Sequence, residues 1–235
     1  MEGFTYSNIF ETKGIEYIIV IFFLLILIPF WIFVNRKVPV KEQFQQALNV
    51  LTAGVLRIPH GFLFSKNHTW VSLEKTGYAK FGIDDFLQKI VGETQFVPLK
   101  TLGEVVQKGE VLAEINQKGK RLKVLSPISG EIMAVNTHKT NMGLPGSDPY
   151  EKGWFYSLKP FNWETETSGL FIADEAGIWI KNELERFKDF LNVSLAHHSG
   201  QPSVVAFQEG GELIQNPLSE LHPEIWKKFQ EEFLE

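Results

Sequence analysis

The chain contains no cysteine. Disulfides, iron–sulfur ligation and cysteine nucleophiles are therefore excluded. It also lacks an excess of positive charge: 23 Lys and Arg stand against 28 Asp and Glu, a net charge of −5. No basic stripe interleaved with aromatic side chains is present, so no nucleic-acid partner is expected. There is no phosphate-cradling glycine loop, no nucleophile elbow and no HExxH pair. The adjacent His197 and His198 point different ways on a helix or strand and lack the spacing of a metal site. With no catalytic constellation in view, the chain is not expected to be an enzyme. Its 235 residues allow one domain with attachments or two small ones.

Charge is also missing from one long run. Residues 15–34, IEYIIVIFFLLILIPFWIFV, hold a single charged side chain, Glu16. A helix from Tyr17 to Val34 would rise roughly 27 Å, near the hydrocarbon thickness of a bilayer. Pro29 would kink it, and Tyr17 and Trp31 lie near its ends, where aromatic belts form. No small-residue cleavage site follows, which disfavours a signal peptide. The run predicts one transmembrane helix over 15–34, after an external tail over 1–14. Arg36, Lys37 and Lys41 follow the run, whereas Lys13 alone precedes it. The positive-inside rule then predicts a single-pass protein of the inner (cytoplasmic) membrane, N-terminus outside and C-terminal bulk in the cytoplasm. The bilayer is the first expected partner.

Residues 35–61 read as a connector, with apolar spacing over 42–56 that predicts a short amphipathic helix before Pro59. From 62 to 160 the signal is short strands separated by turns, broken by one short helix over 84–91 that Gly92 stops. Residues 161–200 form a helical extension. Asp174 is placed to cap a helix to about Leu191, with Trp179, Ile180, Leu184, Phe187 and Leu191 on one face. Residues 201–235 hold a loop and an amphipathic helix from His222, with Pro223 in its first turn and Ile225, Trp226, Phe229 and Phe233 as its stripe. Both aromatic stripes are expected to pack on the β core. The fold class is mainly β with flanking helices.

The clearest local signal lies in residues 111–126, VLAEINQKGKRLKVLS. A two-residue turn at Lys118-Gly119 sets Ile115 opposite Leu122 and Ala113 opposite Val124 on one side, and Glu114 opposite Lys123 on the other. Glycine accepts the positive φ that such turns need. Lys118 then stands exposed at the apex of a hairpin.

Two half-motifs frame that hairpin, Gly103 to Leu112 and Ser126 to Ile132. With them go His68-Thr69-Trp70-Val71, Phe81 to Phe86, Val91-Gly92-Glu93, Asp148 to Phe155 and Leu158-Lys159-Pro160. In order and spacing these resemble the glycine cleavage system H protein, a lipoyl/biotinyl barrel-sandwich hybrid. The resemblance implies lipoate carried on one hairpin lysine, serving partner enzymes as a swinging arm. Counted back from Pro127, the family lysine falls on Gly119, between Lys118 and Lys120. Lys118 is the first candidate, by its place at the apex, and Lys120 the second. The tip differs from the family in being basic, with Lys118, Lys120, Arg121 and Lys123. Three functions are therefore expected. The first is a docking or scaffold subunit of a membrane-associated complex, with a redox role implied by lipoyl chemistry. The second is a lipoyl carrier moving an aminomethyl, acyl or sulfur-linked group between enzymes. The third is a membrane-fusion adaptor of an export system.

Overall fold

Alternation of apolar and polar residues across 68–83 becomes an antiparallel strand pair, Thr69–Leu73 and Ala79–Ile83, in register Trp70↔Gly82 and Val71↔Phe81. A computed structural model describes residues 9–35, 50–136, 141–142, 148–197 and 213–235. The chain divides into two compact units, Met1–Gln43 and Phe44–Glu235.

The second unit is built on strands β1 (Val50–Leu51), β2 (Leu63–Phe64), β3 (Thr69–Leu73), β4 (Ala79–Ile83), β5 (Thr94–Pro98), β6 (Val105–Val106), β7 (Val111–Gln117), β8 (Lys120–Leu125), β9 (Gly130–Val135), β10 (Asn141–Met142), β11 (Tyr156–Pro160), β12 (Phe171–Ile172) and β13 (Leu213–Ile214). They form a seven-stranded sheet, β12-β2-β3-β4-β11-β9-β6, a four-stranded sheet, β10-β5-β7-β8, and the pair β1-β13. The Tyr156 hydroxyl on β11 joins the two larger sheets by donating to the Leu112 carbonyl on β7 at 2.7 Å. The half-motifs wrap on each other: the Gly103 amide donates to the Ile132 carbonyl at 2.8 Å, and the Gly109 amide to the Ser126 carbonyl at 2.8 Å. The architecture is the expected one, mainly β with flanking helices.

The helices of this unit are α2 (Asp85–Val91), α3 (Trp163–Thr167), α4 (Ala173–His197) and α5 (Pro223–Phe229), the last continued by a π-helical turn, Gln230–Leu234. Asp84 caps α2, its side chain accepting from the Leu87 amide at 2.8 Å, and Gly92 ends it at φ 74°. Helix α4 begins one residue before the predicted cap and runs past Leu191. Asp174 and Glu175 lie in its first turn, where carboxylates favour the dipole. The predicted aromatic stripes are core: Phe187 and Phe229 are fully buried, with Leu184, Leu191, Ile225, Trp226 and Phe233 beside them.

Two expectations are corrected. The amphipathic helix over 42–56 does not form where the chain is described. Val50 and Leu51 instead pair with Ile214 and Leu213, and Ala53–Val55 is a 3₁₀ turn; residues 42–49 lie outside the described part. In the first unit the apolar run does form a helix, α1 (Ile9–Asn35), with Pro29 inside it. Yet among the described residues no helix is long and apolar enough to cross a membrane. The single-pass membrane location, N-terminus outside, is thereby overturned. The bilayer partner and the export-adaptor reading lose the observation on which they rested.

One close approach is set by glycine. A Cβ on Gly82 would lie 2.8 Å from the Gly153 carbonyl oxygen and 3.1 Å from the Trp70 ring. Both neighbours are held by the core, so Gly82→Ala should cost about 1–3 kcal/mol in a urea unfolding experiment, as overpacking does. A neutral effect would mean that β3 and β4 do not meet the 149–154 turn this tightly.

Candidate functional site

The hairpin of β7 and β8 has the register expected from its sequence: Ala113↔Val124, Glu114↔Lys123, Ile115↔Leu122 and Gln117↔Lys120. Lys118 and Gly119 both carry positive φ, 47° and 84°, as a type I′ turn requires. Ala113, Ile115, Leu122 and Val124 are buried, which holds the strands rigid below the turn.

The two candidate lysines have opposite surroundings. The Lys118 side chain is 70% exposed, and its Nζ meets Glu220 Oε1 at 3.1 Å. An ion pair so open to water is worth about 0–1 kcal/mol and opens readily. Lys120 is buried. Its Nζ donates to the carbonyls of Ser219 at 2.5 Å, Leu221 at 3.3 Å and Leu218 at 3.5 Å. It also lies 4.7 Å from the centre of the Trp226 ring, a cation–π distance. Burial holds the Lys120 ammonium below the usual lysine range, a shift that Glu220 opposes and Lys118 reinforces.

The C-terminal segment supplies this enclosure, and several bonds fix it in place. The Asn216 and Leu218 amides donate to the Lys89 and Ile90 carbonyls at the end of α2. A side chain on Gly92 would strike Asn216, its Cβ only 2.6 Å from the Asn216 Cγ. The Trp226 indole donates to the Leu218 carbonyl at 2.7 Å, and Gln230 Oε1 accepts the Lys123 amide at 2.7 Å. Glu220 and Trp226 as neighbours of the hairpin were missed in the sequence. Glu220 lies 102 residues from Lys118, and no local pattern signals so distant a pairing.

Beside Lys118 an open recess of about 750 Å³ is lined by Glu93, Thr94, Asn116, Gln117, Arg121 and Asn216, among others. The side-chain oxygens of Thr94, Asn116 and Gln117 are buried there without a hydrogen-bond partner.

The flanking motifs meet at another place. Trp70 donates its indole N–H to the Pro149 carbonyl at 3.1 Å, and the Tyr150 hydroxyl donates to the Arg57 carbonyl at 2.5 Å. Burial raises the Tyr150 hydroxyl far above its usual range, so it serves as a fixed neutral donor. His68 is fully buried, with Nδ1 at 2.8 Å from Asp84 Oδ2 and its ring stacked on Phe86 and Trp179. Its place is inside the fold, joining β3, α2 and α4.

Two small sheets that present a lysine on a rigid hairpin define a carrier domain of the lipoyl type. The family model for the glycine cleavage H-protein matches residues 62–183, and this chain belongs to that family. Its members carry lipoate covalently and have no catalytic activity of their own, working with the lipoyl-using enzymes of the glycine cleavage system. The chain is 33% identical over 133 residues to a probable glycine cleavage system H protein of Pyrococcus furiosus, covering 56% of this chain and 98% of the relative. It is 32% identical over 119 residues to the glycine cleavage system H protein of Psychrobacter cryohalolentis, covering 50% of this chain and 94% of the relative. A crystal structure of a glycine cleavage system H protein from Mycobacterium marinum is 29% identical, with a TM-score of 0.42, covering 50% of this chain and 94% of that one. The segment that encloses Lys120 lies outside the family match.

Proposed function

We propose that this chain is a lipoyl carrier whose arm hangs from Lys118 and moves an amine-bearing group between partner enzymes. One observation carries the reading. Lys118 stands at the apex of a rigid I′ hairpin with its amine in water, whereas the only other candidate, Lys120, is enclosed. A lipoyl group in amide linkage there supplies a dithiolane on a long tether. The fit rests on two features. The Lys118 amine is free to receive an acyl group once a weak ion pair opens. The recess beside it has room for a tethered cargo, and the Glu93 carboxylate in its lining suits an amine better than an acyl group. In this reading residues 62–160 are the carrier body, 161–200 its extension, and 201–235 a last segment of which residues 218–230 cover one side of the hairpin.

Mass spectrometry on protein from its native host, over the peptides that span 118–123, tests this. The expected result is a lipoyl increment on Lys118 and none on Lys120. Unmodified lysines, in a host whose other lipoyl proteins are loaded, would sink the carrier reading and leave a docking subunit built on a carrier fold.

A further inference from the structure

Two lysines flank Gly119, and an acyl donor that reaches one is within a few ångströms of the other. We propose that the C-terminal segment selects the acylated lysine: it encloses Lys120 and leaves Lys118 as the single reactive amine at the hairpin tip. The biological use of this device rests on the carrier reading; the device itself does not.

Acylation requires a neutral amine with its lone pair open to the donor. Lys118 Nζ attacks the carbonyl carbon of an acyl adenylate or activated ester. A nitrogen–carbon bond forms, the bond from that carbon to the leaving oxygen breaks, and the displaced proton passes to water. For Lys118 the contact to be broken among the described residues is the exposed pair with Glu220. For Lys120 the obstacles are larger. Its nitrogen has three donors, and three carbonyls surround it, those of Leu218, Ser219 and Leu221. The Trp226 ring lies across the remaining approach at 4.7 Å. Reaction there would cost those hydrogen bonds and would take the ammonium donor from the Ser219 and Leu221 carbonyls.

The enclosure is needed because Lys120 would otherwise be a second amine of the same chemistry, two residues from Lys118. Burial pushes its ammonium toward the neutral form, the form that reacts. Of its charged neighbours, Glu220 opposes this shift and Lys118 reinforces it. What prevents reaction is the segment lying over it, and every residue of that enclosure comes from beyond the family-matched region 62–183. A chain that carries two lysines around the turn glycine thereby keeps one attachment point.

Brief treatment of the full chain with limiting N-hydroxysuccinimidyl acetate, followed by peptide mapping, tests this without any lipoyl enzyme. Lys118 should react about tenfold or more faster than Lys120, the scale set by lost hydrogen bonds to a charged group. In concentrated urea the two rates should converge. Trp226→Phe keeps the apolar packing but loses the indole N–H to the Leu218 carbonyl, and it should raise Lys120 reactivity severalfold. Rates within twofold in the native chain overturn the proposal, and so does an unchanged ratio in Trp226→Phe. A native chain that acetylates at Lys118 alone but takes no lipoyl group from a lipoate ligase keeps the selection and removes the carrier reading, so the two failures are distinct.

Discussion

Lys118→Arg is expected to abolish lipoyl loading by lipoate ligase with lipoate and ATP, and to leave the stability of the chain almost unchanged. Arginine keeps the positive charge and can pair with Glu220, but a guanidinium is protonated at any relevant pH and does not accept the acyl group. The lost amine is replaceable by no neighbour, because Lys120 is bonded to three carbonyls and Lys123 lies on the outward face, further from the turn. Stability should move by less than about 1 kcal/mol, the ceiling for an exposed ion pair. Intact mass after loading, with a thermal melt on the same sample, reads both quantities. A lipoyl increment that persists in the arginine variant, on whatever lysine, would contradict the assignment of the arm.

Phe187→Ala should destabilise the chain by about 3–5 kcal/mol, as removal of a fully buried phenylalanine does. Phe187 is fully buried on α4. Its ring meets Phe86 of α2 at 5.9 Å, and Phe229 and Phe233 of the C-terminal segment at 5.7 and 5.9 Å. It thus joins three parts of the sequence that share no local contacts. The loss is read as a shift in the urea midpoint of the full chain. A change below about 1 kcal/mol would mean that α4 and the last helix do not share one core. Because the same cluster seats the segment over Lys120, the variant should also show faster acetylation of that lysine under native conditions.

Much of this site was legible in the sequence because it is local. Alternation fixed the pairing of Ile115 with Leu122 and of Glu114 with Lys123, and Gly119 fixed the turn; no distant residue was needed for either. The helix stripes on α4 and α5 were legible for the same reason, since a 3.6-residue period survives whatever covers it. The environments of the two lysines were not legible. Lys118 and Lys120 differ by two residues in sequence and are alike in chemistry. Only the return of residues 216–230 to the hairpin separates them. The apolar run near the N-terminus announced a helix, and a helix forms. Periodicity and hydropathy, however, report that a surface is apolar, not what lies against it, and the inferred membrane span went beyond that.

The placement of residues 218–234 over the hairpin has a consequence for the making of the protein. Phe229, Phe233 and Leu234 are buried, and Lys120 is covered by carbonyls from 218–221. During translation the hairpin emerges first and its cover last. Synthesis from Lys120 to Ser219 takes about 5–20 seconds at 5–20 residues per second, and the cover cannot form before then. Throughout that interval Lys120 is an uncovered amine. The nascent chain therefore has two exposed amines at the hairpin tip and the folded chain one, so any acyl group found on Lys120 in cells would date its own attachment to before the segment docks.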